Sequence, residues 1–320
     1  MASTPGSSAS VTPTGTADPR RGDREQSRLL AYGALFLAVL GISWSAIFIR
    51  WAAIPGPSSA FYRVLIAAAV LGPVWVITLF ADPRRRQRLQ RGGAQAAWFA
   101  VLGGAFFGLD LALFNTAVMK TTAAEATLFG NNAPIFVGLG TWLFFGRRPK
   151  RAYWAGLALA STGGAAVMIA GFSGPASGGT LTGNLLAVAA SVFFAAYLLT
   201  TERAREGLDT LSFSTLSIAG SAVTLLLVCL ALDVPLGGFS RSTWAALLGL
   251  GIVSQLAAYF ALVYALGHLP ATVTSVGLLA QLPITAILAV PFLGEPLHAT
   301  QAAGAALVLA GIYIVNRGSA

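Results

Sequence analysis

The side chains most able to do chemistry in this chain are suited to recognising a small molecule, not to making or breaking bonds. Arg63, Asp110 and Glu125 sit inside long apolar runs, where a central charge costs roughly 2.5–3.5 kcal/mol on membrane-insertion scales. Asn131, Asn132, Gln255 and Gln281 are amides in similar surroundings, each able to donate and to accept hydrogen bonds. Phe107, Asp110 and Phe114 follow at i, i+3 and i+7, so a helix would place them on one face. Gln255 and Tyr259 lie one turn apart, and Ser43, Trp44 and Phe48 form a further group. An aromatic-lined cavity with a few amides suits an aromatic or otherwise apolar zwitterion. Arg63 would meet its carboxylate, and Asp110 or Glu125 its ammonium. The same residues also permit a plainer arrangement, in which the charges pair with one another or Arg63 reaches to the headgroups. Aromatic stripes of this kind can equally face lipid or core.

Two proline-containing breaks sharpen the first reading. Asn131, Asn132 and Pro134 stand about ten residues into one apolar run, and Gln281 and Pro283 hold the equivalent place in another. A proline inside a helix removes a hydrogen bond and frees a carbonyl. Polar breaks at matching places in two halves point to a central binding site. Packing kinks, with the amides bonded to neighbouring helices, are the alternative.

The elements that must position these groups follow from composition. Hydrophobic residues make up 56% of the 320 and charged residues only 10%, with a mean hydropathy of +0.74. Apolar stretches of about 20 residues recur, long enough to cross a hydrocarbon core. They lack the alternation of barrel strands. The expected fold is an all-α membrane protein of ten transmembrane helices. The spans fall at 28–50, 58–80, 94–117, 121–145, 152–172, 183–201, 210–232, 243–267, 270–293 and 299–316. Residues 1–27, rich in Ser, Thr, Pro and Gly and then charged, read as a disordered cytoplasmic tail. Of the 20 Lys and Arg, 16 fall on one side of this topology, leaving Arg50, Arg63, Lys120 and Arg241 for the other. The rich side is expected to be cytoplasmic, with both termini inside the plasma (inner) membrane.

The second half repeats the first. Ala117, Ala123, Gly146, Gly156 and Gly163 return 148 positions on as Ala265, Ala271, Gly294, Gly304 and Gly311. Pro134 and Pro283 are 149 apart, and Pro149 and Pro296 are 147 apart. An odd number of spans turns the chain over, so a five-helix repeat at 28–172 should be followed by an inverted one at 183–317. Inverted repeats place a site near the midplane between halves that rock. Gly104 with Gly108, Gly156 with Gly163 and Gly304 with Gly311 read as faces for close helix packing.

Tyr264-Ala-Leu, Ala271, Pro283, Phe292-Leu-Gly-Glu-Pro and the early Phe61-Tyr-Arg63 together resemble the EamA-type family of the drug/metabolite transporter superfamily. That resemblance covers about 290 residues. It implies a ten-span transporter of small organic solutes, often an exporter of amino acids or metabolites, with aromatic amino-acid exporters the expected relatives and other metabolites or organic cations the alternative cargo. The first copy departs from it at Gly146-Arg147-Arg148-Pro149, where the family usually places Gly-Glu.

The expected function is therefore secondary transport of a small-molecule substrate across the lipid bilayer. No phosphate-binding loop occurs, and the net charge of +9 lies in loops, so ATP-driven pumping and nucleic-acid binding are not expected. No cofactor and no metal are implied: His268 and His298 stand in no ligand-spaced motif. Cys229, the one cysteine, reads as a buried small hydrophobe. A channel or a membrane-embedded enzyme are the competing classes. The small-residue faces leave a homo-oligomer open.

Overall fold

A computed structural model describes residues 19–120, 129–170, 180–293 and 299–319. All regular structure among them is helical. In chain order the α-helices are α1 (Pro19–Ser43), α2 (Ser45–Ala52), α3 (Gly56–Ala81), α4 (Pro83–Lys120), α5 (Ala133–Phe145) and α6 (Arg151–Ala170). Then follow α7 (Leu181–Arg205), α8 (Thr210–Ala231), α9 (Arg241–Gly249), α10 (Ala258–Leu266), α11 (Ala271–Gly277), α12 (Gln281–Leu293) and α13 (Ala299–Ser319). A π-helical segment, Leu250–Ala257, joins α9 to α10, and a 3-10 turn, Leu278–Ala280, joins α11 to α12.

Eight stretches among the described residues are long and apolar enough to cross a membrane, and Ala133–Phe145 is a shorter apolar helix. Helices are required here because lipid offers no partner to a free backbone group. Leu, Ile, Val and Phe side chains stay exposed on many of them, including Phe80, Leu143 and Leu230, as a lipid-facing surface demands. Helix starts are set locally. Thr180 accepts from the Gly183 N–H, Asp209 from Leu211 and Ser212, and Ser240 from Thr243, satisfying amides that a first turn leaves orphaned.

Several boundaries differ from expectation. Helix α1 begins at Pro19, ahead of 28, and α4 carries the 84–91 arginine run on helix continuous with the span. Spans one, eight and nine are broken, as is span four at Asn131–Asn132. Span one is interrupted at Trp44, where the Ser43 hydroxyl takes the Val39 carbonyl at 2.7 Å, competing with the helix's own bond. Span eight contains the π segment and span nine the 3-10 turn. Glu125, Ala123, His298 and the Gly294-Glu-Pro-Leu turn lie outside the described residues.

Among the described residues, the buried apolar ones form two large clusters and two small ones. Helices α1, α3, α4, α7, α8 and α10 enclose the main apolar core, and α6, α11 and α13 a second. The glycine faces do pack closely. A Cβ on Gly104 would collide with the Ser217 carbonyl oxygen, and one on Gly108 would lie 3.2 Å from that of Ser221. Cys229 is buried and free.

Candidate functional site

Four irregular points of backbone converge in the interior. Non-helical backbone at membrane depth persists only where it is buried in protein or lines a cavity, so this convergence marks the candidate site. The first point is Asn131–Asn132, a turn that caps α5. The second is the Leu278–Ala280 turn leading into Gln281. Gln281 Nε2 donates to Asn131 Oδ1 at 2.8 Å, so the two breaks touch across the repeats. Asn132 serves its own turn, its Nδ2 donating to the Phe129 carbonyl at 3.0 Å. The prolines act differently from expectation. Pro134 lies in the first turn of α5 and Pro283 is the third residue of α12, so each starts a helix after the break instead of kinking one. A first turn has no use for the N–H that proline lacks.

The third point is the Ser43–Trp44 break. Ser43 Oγ lies 3.4 Å from the Gln281 carbonyl, and Thr285 Oγ1 3.4 Å from the Ser43 carbonyl. Two residues on, Ser45 Oγ accepts from Arg63 Nη1 at 3.2 Å. Arg63 is buried at 5% exposure, and its Nε donates to Gln255 Oε1 at 2.9 Å. Gln255 belongs to the fourth irregular point, the π segment. Such bulges re-aim one side chain relative to a regular helix and are frequent at functional sites. The segment packs closely on its neighbours: a Cβ on Gly251 would lie 2.7 Å from Ile66, and Ser254 Oγ donates to the Gly41 carbonyl at 2.8 Å.

Aromatic rings close over this polar cluster. The Arg63 guanidinium lies 5.6 Å from the Tyr259 ring centroid, within cation–π range. Tyr259 is 4.6 Å from Phe107, which is 4.9 Å from Tyr197. Asp110 is half-buried one turn along from Phe107, on the same face of α4. Phe107, Tyr197, Gln255, Tyr259 and Ser214 line a cavity of about 10 Å³, the size one water needs. The rings are thus shut on one another, and a solute would have to part them.

Most of the expected site residues therefore fall together: Arg63, Phe107, Asp110, Gln255 and Tyr259 in one cluster, Asn131 and Gln281 in an adjoining one. Phe114 packs its ring on Gly130, immediately before Asn131. Trp44 does not join the box. Its ring lies 4.6 Å from Phe292 and 5.8 Å from Phe48, beside the break instead of over it. Sequence reasoning missed Tyr197 and the serine face of α8. Phe194 and Tyr197 at i, i+3, and Ser214, Ser217 and Ser221 at i, i+3, i+7, were the available signals. Among the described residues no group of three His, Cys, Asp or Glu could hold a metal ion.

Comparison with known proteins places this geometry in context. The EamA-like transporter family matches twice, over residues 29–169 and 181–317. An uncharacterized transporter of Bacillus subtilis (strain 168), YwfM, is 29% identical over 206 residues, covering 64% of this chain and 68% of that protein. A protein of known crystal structure shares the fold with a TM-score of 0.71 at 20% identity, over 92% of this chain and 98% of its own.

Proposed function

Because this chain belongs to the EamA-like transporter family, we propose that it is a secondary transporter that exports amino acids, aromatic or otherwise apolar, by alternating access. In this reading ten spans form two inverted five-helix repeats, and the arginine-rich face is cytoplasmic in the inner membrane. Arg63 receives the substrate carboxylate, exchanging its bonds to Gln255 and Ser45 for bidentate ones. Asp110 meets the ammonium. Phe107, Tyr259 and Tyr197 accept the apolar side chain as they part, with Phe114 behind them.

The observation that carries this reading is the Gln281–Asn131 hydrogen bond. It joins the polar breaks of the two repeats at one place, and relative motion of the halves must strain or exchange it. Replacing Asn131, Asn132 or Gln281 with Ala should then slow transport while the protein stays in the membrane. Purified protein in lipid vesicles, loaded in turn with amino acids, organic cations and sugars, gives the measurement. Aromatic and apolar amino acids are expected to exchange fastest. Full activity in all three alanine variants would remove the site from the junction, and transport confined to cations or sugars would remove the substrate assignment. Repeating the assay with and without a pH gradient decides whether protons are coupled.

A further inference from the structure

On the arginine-rich face one carboxylate holds three elements together. Glu202 lies in the last turn of α7, and its side chain is only 14% exposed. It accepts from Arg147 Nη1 at 3.2 Å and from the backbone N–H of Ala271 at 2.8 Å. Arg147 follows the C-terminal end of α5, just past Gly146, whose positive φ of 65° turns the chain out of the helix. Ala271 is the first residue of α11. Helices α5 and α11 are both pieces of broken spans, and each has one end on this face. Their far ends carry the Asn131–Asn132 turn and the Leu278–Ala280 turn. Glu202 therefore ties the near ends of the same two pieces whose far ends meet at the candidate site.

The chemistry suits a releasable tie. An anion at a helix N-terminus is favourable, and charge-assisted hydrogen bonds are roughly twice as strong as neutral ones. Arg147, Glu202, Tyr153 and Thr272 line a cleft of about 190 Å³ on this face, so the carboxylate stands in its wall. The chain's two copies differ at this point. The first carries Arg147 where the second, 148 positions on, carries Glu295. Only the arginine can bridge to Glu202; an acid there would repel it.

We propose that Glu202 is a positioning residue of the transport cycle, clamping α5 to α11, and that its release from Arg147 and Ala271 opens the site to the arginine-rich face. This rests on the alternating-access reading above. The test uses the full-length chain with Cys229→Ser and a reporter cysteine introduced as Thr274→Cys, a fully buried position in α11. A membrane-impermeant maleimide is added to either face of sealed vesicles. Glu202→Ala should raise labelling from the arginine-rich face about tenfold, as expected for losing bonds to a charged group. Arg147→Ala, which leaves the Ala271 bond, should raise it about threefold. Labelling from the opposite face should not rise in either variant.

A parent-like rate in Glu202→Ala, or an equal rise from both faces, overturns the clamp. Should Glu202→Ala fail to fold by gel filtration, Glu202→Gln, which keeps an oxygen for the Ala271 N–H, carries the same test with about a threefold rise expected. If transport persists while labelling is unmoved, the clamp fails and the carrier reading stands. If substrate never changes labelling from either face, the carrier reading fails first.

Discussion

The α6–α13 seam and the junction of broken helices solve helix contact in lipid by opposite means. In the seam both helices are regular, and four glycines bring backbone against backbone. A Cβ on Gly156 would lie 2.6 Å from the Gly311 carbonyl oxygen, and one on Gly311 2.4 Å from that of Gly156. Gly163 and Gly304 stand in the same reciprocal relation, at 2.5 and 2.6 Å. Residue numbers rise along one helix as they fall along the other, so the pair runs antiparallel. Close van der Waals contact holds it. At the junction polar side chains carry the contact. Asn131, Gln281, Arg63, Gln255 and Ser45 meet through side-chain bonds of 2.8–3.2 Å, around backbone that has left the α-helical pattern. Contacts of the first kind resist any displacement, whereas bonds of the second kind can be exchanged for those of a solute. The difference is between a face fixed by shape and a centre held by bonds that other polar groups can replace.

Breaking the seam should have the largest effect. Gly163→Leu sets a side chain against the Gly304 carbonyl and the Leu307 Cβ and should cost about 3 kcal/mol, read as a lowered thermal midpoint in detergent. Gly72→Leu, with nothing within 4 Å, should stay within about 0.5 kcal/mol. Equal losses in the two would show that the seam holds nothing. At the junction, Arg63→Ala strands the Gln255 amide and should cost about 1–3 kcal/mol while reducing exchange of zwitterions far more than it lowers the midpoint. A parallel loss of both would make Arg63 a strut instead of a ligand. Smallest of all, a double-mutant cycle on Asn131→Ala and Gln281→Ala should return about 0.6 kcal/mol of coupling, typical for polar pairs between membrane helices. A coupling of several kcal/mol would make the junction as fixed as the seam and end the contrast.

Much of this contrast was legible in the sequence. Glycines seven apart on 156, 163, 304 and 311 announced the packing faces, and Asn-Asn-x-Pro and Gln-x-Pro announced the breaks. A subtler trace was present as well. From Ala123 to Pro134 is eleven residues, but from Ala271 to Pro283 is twelve, and the 3-10 turn lies within that longer interval. The π segment left no such mark. Leu250–Ala257 reads as unbroken apolar helix, and the groups it packs against, Ile66 and the Gly41 carbonyl, come from other spans. Tyr197 and Trp44 show the same limit from two sides. Nothing in an aromatic's type says whether it faces lipid, core or cavity, so Tyr197 went unremarked while Trp44, grouped with Ser43 and Phe48, has its ring against Phe292. The Glu202–Arg147 pair was hidden for a different reason, because 55 positions separate partners that only the tertiary fold unites.

Each helix of the glycine seam offers its partner the very surface it receives, which is how identical subunits meet about a twofold axis. A side chain added at any one of the four glycines therefore meets the partner's backbone, so none of them can change alone without displacing the pair.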